Sequence, residues 1–484
     1  MKNSLKYITT IILSFALMTA CTTRDETFTP TKGNADFSNY VAFGNSLTAG
    51  YADNALYYDG QIVSFPNLLA EQMEEVGGGE FNQPLVDPSS VGIGSDGNAR
   101  LILGAENGDL APVPAAEQGD LSIFTTSVAA EGPFNNMGVP GATSQTAVFP
   151  GYGNPANGEG NYNPFFTRMT TDPADASMLS DAVSQNPSFF TVFIGNNDVL
   201  GYATAGGANA SITPTAEFSA AYDAIIDAFT ANGAQGAVAN IPDVTTTPFF
   251  TYIPWNALVL EAEEAAQLNG GIELMLMSLG LDAEDLAAMG IVLPEFEEGA
   301  NPLFVYDEDP NNVLGIREMQ EGELVLLTAQ NRLMEIQQNL ANAQEILEDV
   351  AEALAQMDFD AIKTSMRKLA LKDENALTFD EIEEIQEATE NFNQKIKSAA
   401  QQNDLAHVDV NAFLLKVKNE GFILNGREIT PEFVTGGAFS LDGIHLTPVG
   451  NVLLANEFVK AINKTYDAQL PKVDPTNYGG VEFP

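Results

Sequence analysis

A single cysteine in 484 residues rules out an intramolecular disulfide, and two histidines beside it leave almost no zinc site. Basic residues are also scarce: 20 Lys and Arg stand against 66 Asp and Glu, a formal charge of −46. A field of that sign repels nucleic acid and anionic lipid surfaces, so neither is an expected partner. It suits solubility at high salt, where self-repulsion is screened. No Gly-x-Gly-x-x-Gly or P-loop pattern calls for a nucleotide, and no cofactor is expected. The acidic run Tyr306-Asp-Glu-Asp-Pro-Asn-Asn312 does not fit an EF-hand loop and reads as a solvated turn, so no metal is expected. The Gly-x-Ser-x-Gly elbow is missing too, because Thr48 stands where its last glycine would be.

The remaining composition is that of a folded protein, 45% hydrophobic and 9% aromatic. The length allows one large domain with insertions, or two to three domains. Residues 1–20 have a basic start (Lys2, Lys6), an apolar run from Ile8 to Met18 and small residues before Cys21, the pattern of a secretory signal. Leu17-Met-Thr-Ala-Cys21 resembles the lipobox of a bacterial lipoprotein. That resemblance implies cleavage before Cys21, lipidation of its thiol and a membrane contact made through the lipid alone. Thr22 lacks the aspartate that favours inner-membrane retention, so the expected location is the cell envelope at the outer membrane. Residues 21–36 are polar and aperiodic, and read as a tether.

Beyond the tether, short apolar runs alternate with helical spacing. Tyr40–Phe43, Phe189–Ile194, Gly236–Ile241 and His407–Val410 read as buried strands. A shorter strand leads into the glycine turn around Gly141. Phe65–Val76, Phe218–Phe229 and Pro448–Ile462 have the spacing of amphipathic helices, and residues 99–113 read as a hairpin around Asn107-Gly-Asp. This alternation predicts a three-layer α/β/α fold with a mostly parallel sheet. The core is expected over 37–254 and 401–470, with a tail at 471–484.

Residues 255–400 break the pattern. They hold 31 of the 66 acidic residues and 8 of the 20 basic ones. Leu333, Ile336, Leu340, Ala343, Leu347, Val350, Leu354 and Met357 step as a heptad seam, which predicts one helical arm on the order of 35 Å long. Ile382, Ile385, Phe392, Ile396 and Ala399 predict a second helix, and together the two read as an antiparallel hairpin in a large, mainly helical insertion. Such an insertion could be a lid or a partner-binding arm, or could simply pack on the core.

Candidate chemistry gathers just beyond strand ends, where parallel sheets place ligands. Ser46 follows the first strand; by itself it reads as readily as a helix N-cap. Of the two histidines, His407 lies within a strand and reads as structural. His445 lies in a turn three residues after Asp442, a spacing that presents both side chains together. Gly44-Asn-Ser-Leu47, Gly141 in Val-Pro-Gly-Ala-Thr, Gly195-Asn-Asn-Asp198 and Asp442-Gly-Ile-His445, in that order, resemble the SGNH (GDSL) hydrolases. The resemblance covers most of 38–250 and 400–465. It implies serine ester hydrolysis by a Ser46–His445–Asp442 triad. The implied oxyanion hole is formed by the Ser46 N–H, the Gly141 N–H and the Asn197 side-chain amide, with Gly138 and Asn196 as competing assignments. One departure is Asn45, which replaces the family's usual aspartate and brings no charge. Lipids, short acyl esters and acetylated glycans all fit as substrates, so a carbohydrate acetyl esterase is an alternative. A non-catalytic binding lipoprotein on the same scaffold is another. Pro248–Trp255 could line an acyl or sugar pocket.

Overall fold

In the computed structural model, residues 28–106, 109–158, 160–282, 292–424 and 426–483 are described. The expected signal segment, Cys21 and the first residues of the tether lie outside them. The tether expected to run to residue 36 is already docked from Thr31, which bridges to Gln469. Asn34 N–H donates to Tyr466 O, and Ala35 and Phe37 are buried.

Five parallel strands form the central sheet: β1 (Tyr40–Gly44), β2 (Asn136–Gly138), β3 (Phe189–Phe193), β4 (Gln235–Ala239) and β5 (Ala406–Val408). Their order is β5-β4-β3-β1-β2. β1 is fully buried, and its alternate residues feed two separate cores. Val41 and Phe43 join one core with Phe190, Val192 and Val238; Tyr40 and Ala42 join the other with Phe189, Phe193 and Ala237. This is why the strand reads as a continuous apolar run rather than an alternating one. Helices α1 (Ser46–Ala49), α2 (Phe65–Glu74), α3 (Asn197–Thr204), α4 (Thr215–Thr230), α5 (Phe379–Gln402) and α6 (Pro448–Tyr466) surround the sheet. Leu68, Leu69 and Met73 of α2 pack with Phe458 and Ile462 of α6 on one face. Tyr222 and Ile225 of α4 pack with Phe392 and Ile396 of α5 on the other. The expected α/β/α architecture is what forms, with an additional helical region.

The hairpin expected within 255–400 does not form. Its first arm breaks at Asn342 into two helices, Gln330–Ala341 and Ala343–Gln356. Asn342 has φ −114° and ψ +26°, outside helical geometry. The seam positions nearest the break, Leu340 and Ala343, still face the local core, but Met357 is 74% exposed. The proposed second arm is α5, and it belongs to the sheet: Phe392 stacks on Phe218 of α4 with ring centroids 4.0 Å apart. Each helix does bury an apolar face, but against a different partner from the one its spacing suggests. The helix Ala262–Leu279 packs with Ala343–Gln356 in a core of its own, together with short strands such as Phe304–Tyr306.

Candidate active site

Gly44 ends β1 because a Cβ there would meet Thr48 Oγ1 and Phe193 O within 2.4 Å. The chain turns at once into α1. The residue that caps this helix is Asn45 and not Ser46: Asn45 Oδ1 accepts the Leu47 N–H at 3.1 Å. An uncharged amide oxygen suffices for that bond, so the departure at Asn45 leaves the turn intact. The Ser46 hydroxyl is therefore spared for other partners. The Ser46 N–H, in the first turn of α1, makes no hydrogen bond among the described residues.

The other half of the site arrives 399 residues later. His445 Nε2 lies 2.9 Å from Ser46 Oγ, and His445 Nδ1 lies 2.9 Å from Asp442 Oδ2. Asp442 Oδ1 accepts the N–H groups of Ile444 (2.9 Å) and His445 (2.8 Å), which closes the turn on itself. Its Oδ2 also accepts the Asn54 N–H at 2.8 Å. The side chains are 9% (Asp442) and 12% (His445) exposed. Burial alone would raise the Asp442 carboxyl, but the adjacent imidazole and these amide donors outweigh it and hold the group well below the usual carboxylate range. The Tyr51 ring covers the imidazole, with centroids 4.8 Å apart.

Two clamps that the sequence reading missed hold these parts in place. Asp53 and Asn54 both have left-handed backbone (φ +51° and +58°), which aims the Asn54 N–H at Asp442. Asp53 Oδ1 accepts the Leu441 N–H, and the Asp53 N–H donates to Ser440 Oγ, each at 3.0 Å. Burial pushes the Asp53 carboxyl up despite the donors Leu441 N–H and Tyr57 O–H. The second clamp is Asp198, 2% exposed, which accepts from Ser144 N–H (2.8 Å) and Ser144 Oγ (2.6 Å). Burial raises its carboxyl as well, against those two bonds. It ties the Gly141 loop to the start of α3. Paired Asp-Asn residues in a loop and an aspartate after Asn197 were the only signals available for either clamp.

Gly141 has φ +81°, and its N–H is without a partner among the described residues. Gly138, by contrast, is buried, and its N–H is already taken by Asn136 Oδ1 at 3.0 Å. Asn197 Nδ2 donates to Ala142 O at 2.9 Å, which fixes the amide beside the Gly141 peptide. Both Asn196 and Asn197 border the cleft at Ser46. His407 lies on β5 and takes no part in the Ser46–His445–Asp442 chain of hydrogen bonds.

Pro248–Trp255 does not line the cleft at Ser46. Phe249 and Phe250 are buried, and the Phe249 N–H donates to Gly443 O at 3.0 Å, so this segment supports the histidine turn from behind. Among the described residues none of 255–400 borders that cleft. Among the described residues no group of His, Cys, Asp and Glu is placed to hold a metal ion, and no helix is long and apolar enough to cross a membrane.

Residues 40–309 match the model of the GDSL-like lipase/acylhydrolase family. That span includes Ser46, Gly141 and Asn197. Neither the curated proteins nor the solved structures gave a match.

Proposed function

The chain belongs to the GDSL-like lipase/acylhydrolase family, which implies ester hydrolysis, and from that premise we propose that it is a serine esterase acting through Ser46, His445 and Asp442. The observation that carries the proposal is the hydrogen-bonded chain Ser46 Oγ–His445 Nε2 and His445 Nδ1–Asp442 Oδ2, both links 2.9 Å, built from opposite ends of the sequence.

Ionised Asp442 accepts the Nδ1–H and so leaves Nε2 as the acceptor facing Ser46. His445 takes the hydroxyl proton as Ser46 Oγ attacks the ester carbonyl. The oxyanion is met by the Ser46 N–H, the Gly141 N–H and the second N–H of the Asn197 amide. The free N–H of Gly141 supports it over Gly138, and the bond to Ala142 O supports Asn197 over Asn196. As the tetrahedral species collapses, His445 gives its proton to the departing alcohol and an acyl-serine remains. Water then attacks the acyl carbonyl as His445 takes its proton, and the acid is released with Ser46 restored. None of these steps draws on a cofactor.

The proposal extends to an enzyme tethered at the cell envelope through lipidated Cys21, on the strength of the Leu17–Cys21 pattern. Palmitate labelling lost in Cys21→Ala tests that part. The catalytic part is tested with a fluorophosphonate probe, which should label the wild type and not Ser46→Ala. Folded wild type that stays unlabelled would sink it.

A further inference from the structure

From the reading of Ser46 as nucleophile, we propose that the cleft beside it is an acyl pocket selecting esters of straight, medium-length fatty acids over acetylated glycans. Along the C-terminal ends of the strands, the Gly141 loop lies on the β2 side of Ser46. The cleft runs the opposite way, past the end of β3 to residues that follow β4 (Val244, Thr247) and β5 (Val410, Phe413, Leu414). An acyl group whose carbonyl oxygen points toward Gly141 thus has its tail directed into the cleft.

The chemistry of the walls argues for that tail. Beyond the ester end they are aliphatic and aromatic side chains, the buried Phe439 and Leu454 among them. The one hydroxyl there, Thr247 Oγ1, is already donated to Val244 O at 3.0 Å. A sugar ring in this space would exchange water hydrogen bonds for none, a loss for each hydroxyl buried. Of the residues lining the cleft, two carry buried polar atoms without partners, Asn45 Nδ2 and Asn196 Oδ1, and both flank Ser46 or the oxyanion donors, where the ester itself sits. Two strand spacings of about 4.8 Å separate the end of β1 from that of β4. At roughly 1.25 Å of advance per ~1.5 Å carbon–carbon bond, that distance takes a chain of about eight carbons.

The test is kcat/KM for p-nitrophenyl esters from acetate to palmitate, run beside octyl acetate and acetylated xylan. The expected result is a rise of about threefold to fourfold per methylene. The optimum should fall between hexanoate and decanoate, with octyl acetate and the xylan no better than simple acetates. Leu414→Trp, a half-buried wall position away from the triad, should move the optimum to shorter chains. If that variant fails to fold, Val244→Phe makes the same prediction from the facing wall. A flat profile with good acetate turnover overturns the acyl pocket and leaves the serine esterase standing. Preference for octyl acetate overturns it too, by assigning the cleft to the alcohol half. If no ester is cleaved and the fluorophosphonate fails to label folded protein, the underlying serine reading falls as well.

Discussion

Replacing Asp442 by Asn changes one atom, and the hydrogen bonds around it predict the consequence. Four donors converge on this carboxylate: the Ile444 and His445 amides on Oδ1, and the Asn54 amide and His445 Nδ1 on Oδ2. An asparagine can keep its oxygen toward the first pair or the second. Facing the second pair, its NH2 meets two backbone N–H groups, each left unsatisfied at a cost of about 1–3 kcal/mol. Facing the first pair, it leaves only the Asn54 N–H unsatisfied, so this orientation wins. Its NH2 then points at Nδ1 and forces the imidazole into the Nε2–H tautomer. That tautomer has no lone pair for the Ser46 proton. The expected loss is about 10⁴ in kcat, roughly 5 kcal/mol of transition-state stabilisation, against about 1–3 kcal/mol in folding stability. The assay is kcat and KM for a p-nitrophenyl ester together with urea unfolding of the same preparation. A folded Asp442→Asn enzyme within tenfold of wild-type kcat would refute this reasoning, because an orienting carboxylate could not then be what sets the tautomer.

Asn197→Ala should lower kcat by about 10²–10³ with little change in KM, while Asn196→Ala should not; the reverse result would move the oxyanion donor by one residue. Because the Asp442 carboxyl is held below its usual range when folded, it contributes stability that is full above the unfolded value of about 3.9 and is lost as pH falls through the folded value. The wild type's advantage over Asp442→Asn in urea midpoint should therefore persist from pH 7 to about pH 4 and shrink only below it; shrinkage between pH 7 and 5 would contradict the assignment. Phe392→Ala should destabilise the protein by about 3–5 kcal/mol, because this ring stacks on Phe218 in the sheet's own core; a loss under 1 kcal/mol in urea unfolding would place α5 outside that core.

The strands were legible because a strand buried on both faces leaves an apolar run with little ambiguity, as Phe189–Phe193 shows. So were the helices α2, α4 and α6, whose apolar faces repeat over about three turns or more. Tertiary partnership was not legible. Leu340 and Ala343 keep the seam in step across Asn342, so spacing alone could not reveal a break in the backbone. Likewise α5 carries the same periodicity whether it packs on another arm or on a sheet; only the structure supplies Phe218 as its neighbour. For the site, residue types in order located Ser46 and the Asp442–His445 turn, but nothing in the order told Gly138 from Gly141. What separates them is whether an N–H is already bonded, a property of the folded loop.

The supporting residues escaped for a related reason, which concerns how this fold positions a base. Ser46 and Asn197 need little help, since each sits within a few residues of the end of a buried strand whose backbone is fixed by the ladder. His445 has no such anchor: it lies in a turn whose next regular element is α6. That turn must be held by individual bonds: Asp442 from within, Asp53 and Asn54 from the loop after α1, and the Phe249 N–H on Gly443 from the segment leading into the insertion. At Gly443 (φ +73°) an added Cβ would meet Phe249 N at 2.8 Å and come to ordinary contact distance, 3.4 Å, of Leu327 Cδ2, so Leu327 of the insertion lies beside the turn. The described part of the acidic region thus comes up to the histidine turn without bordering the cleft at Ser46.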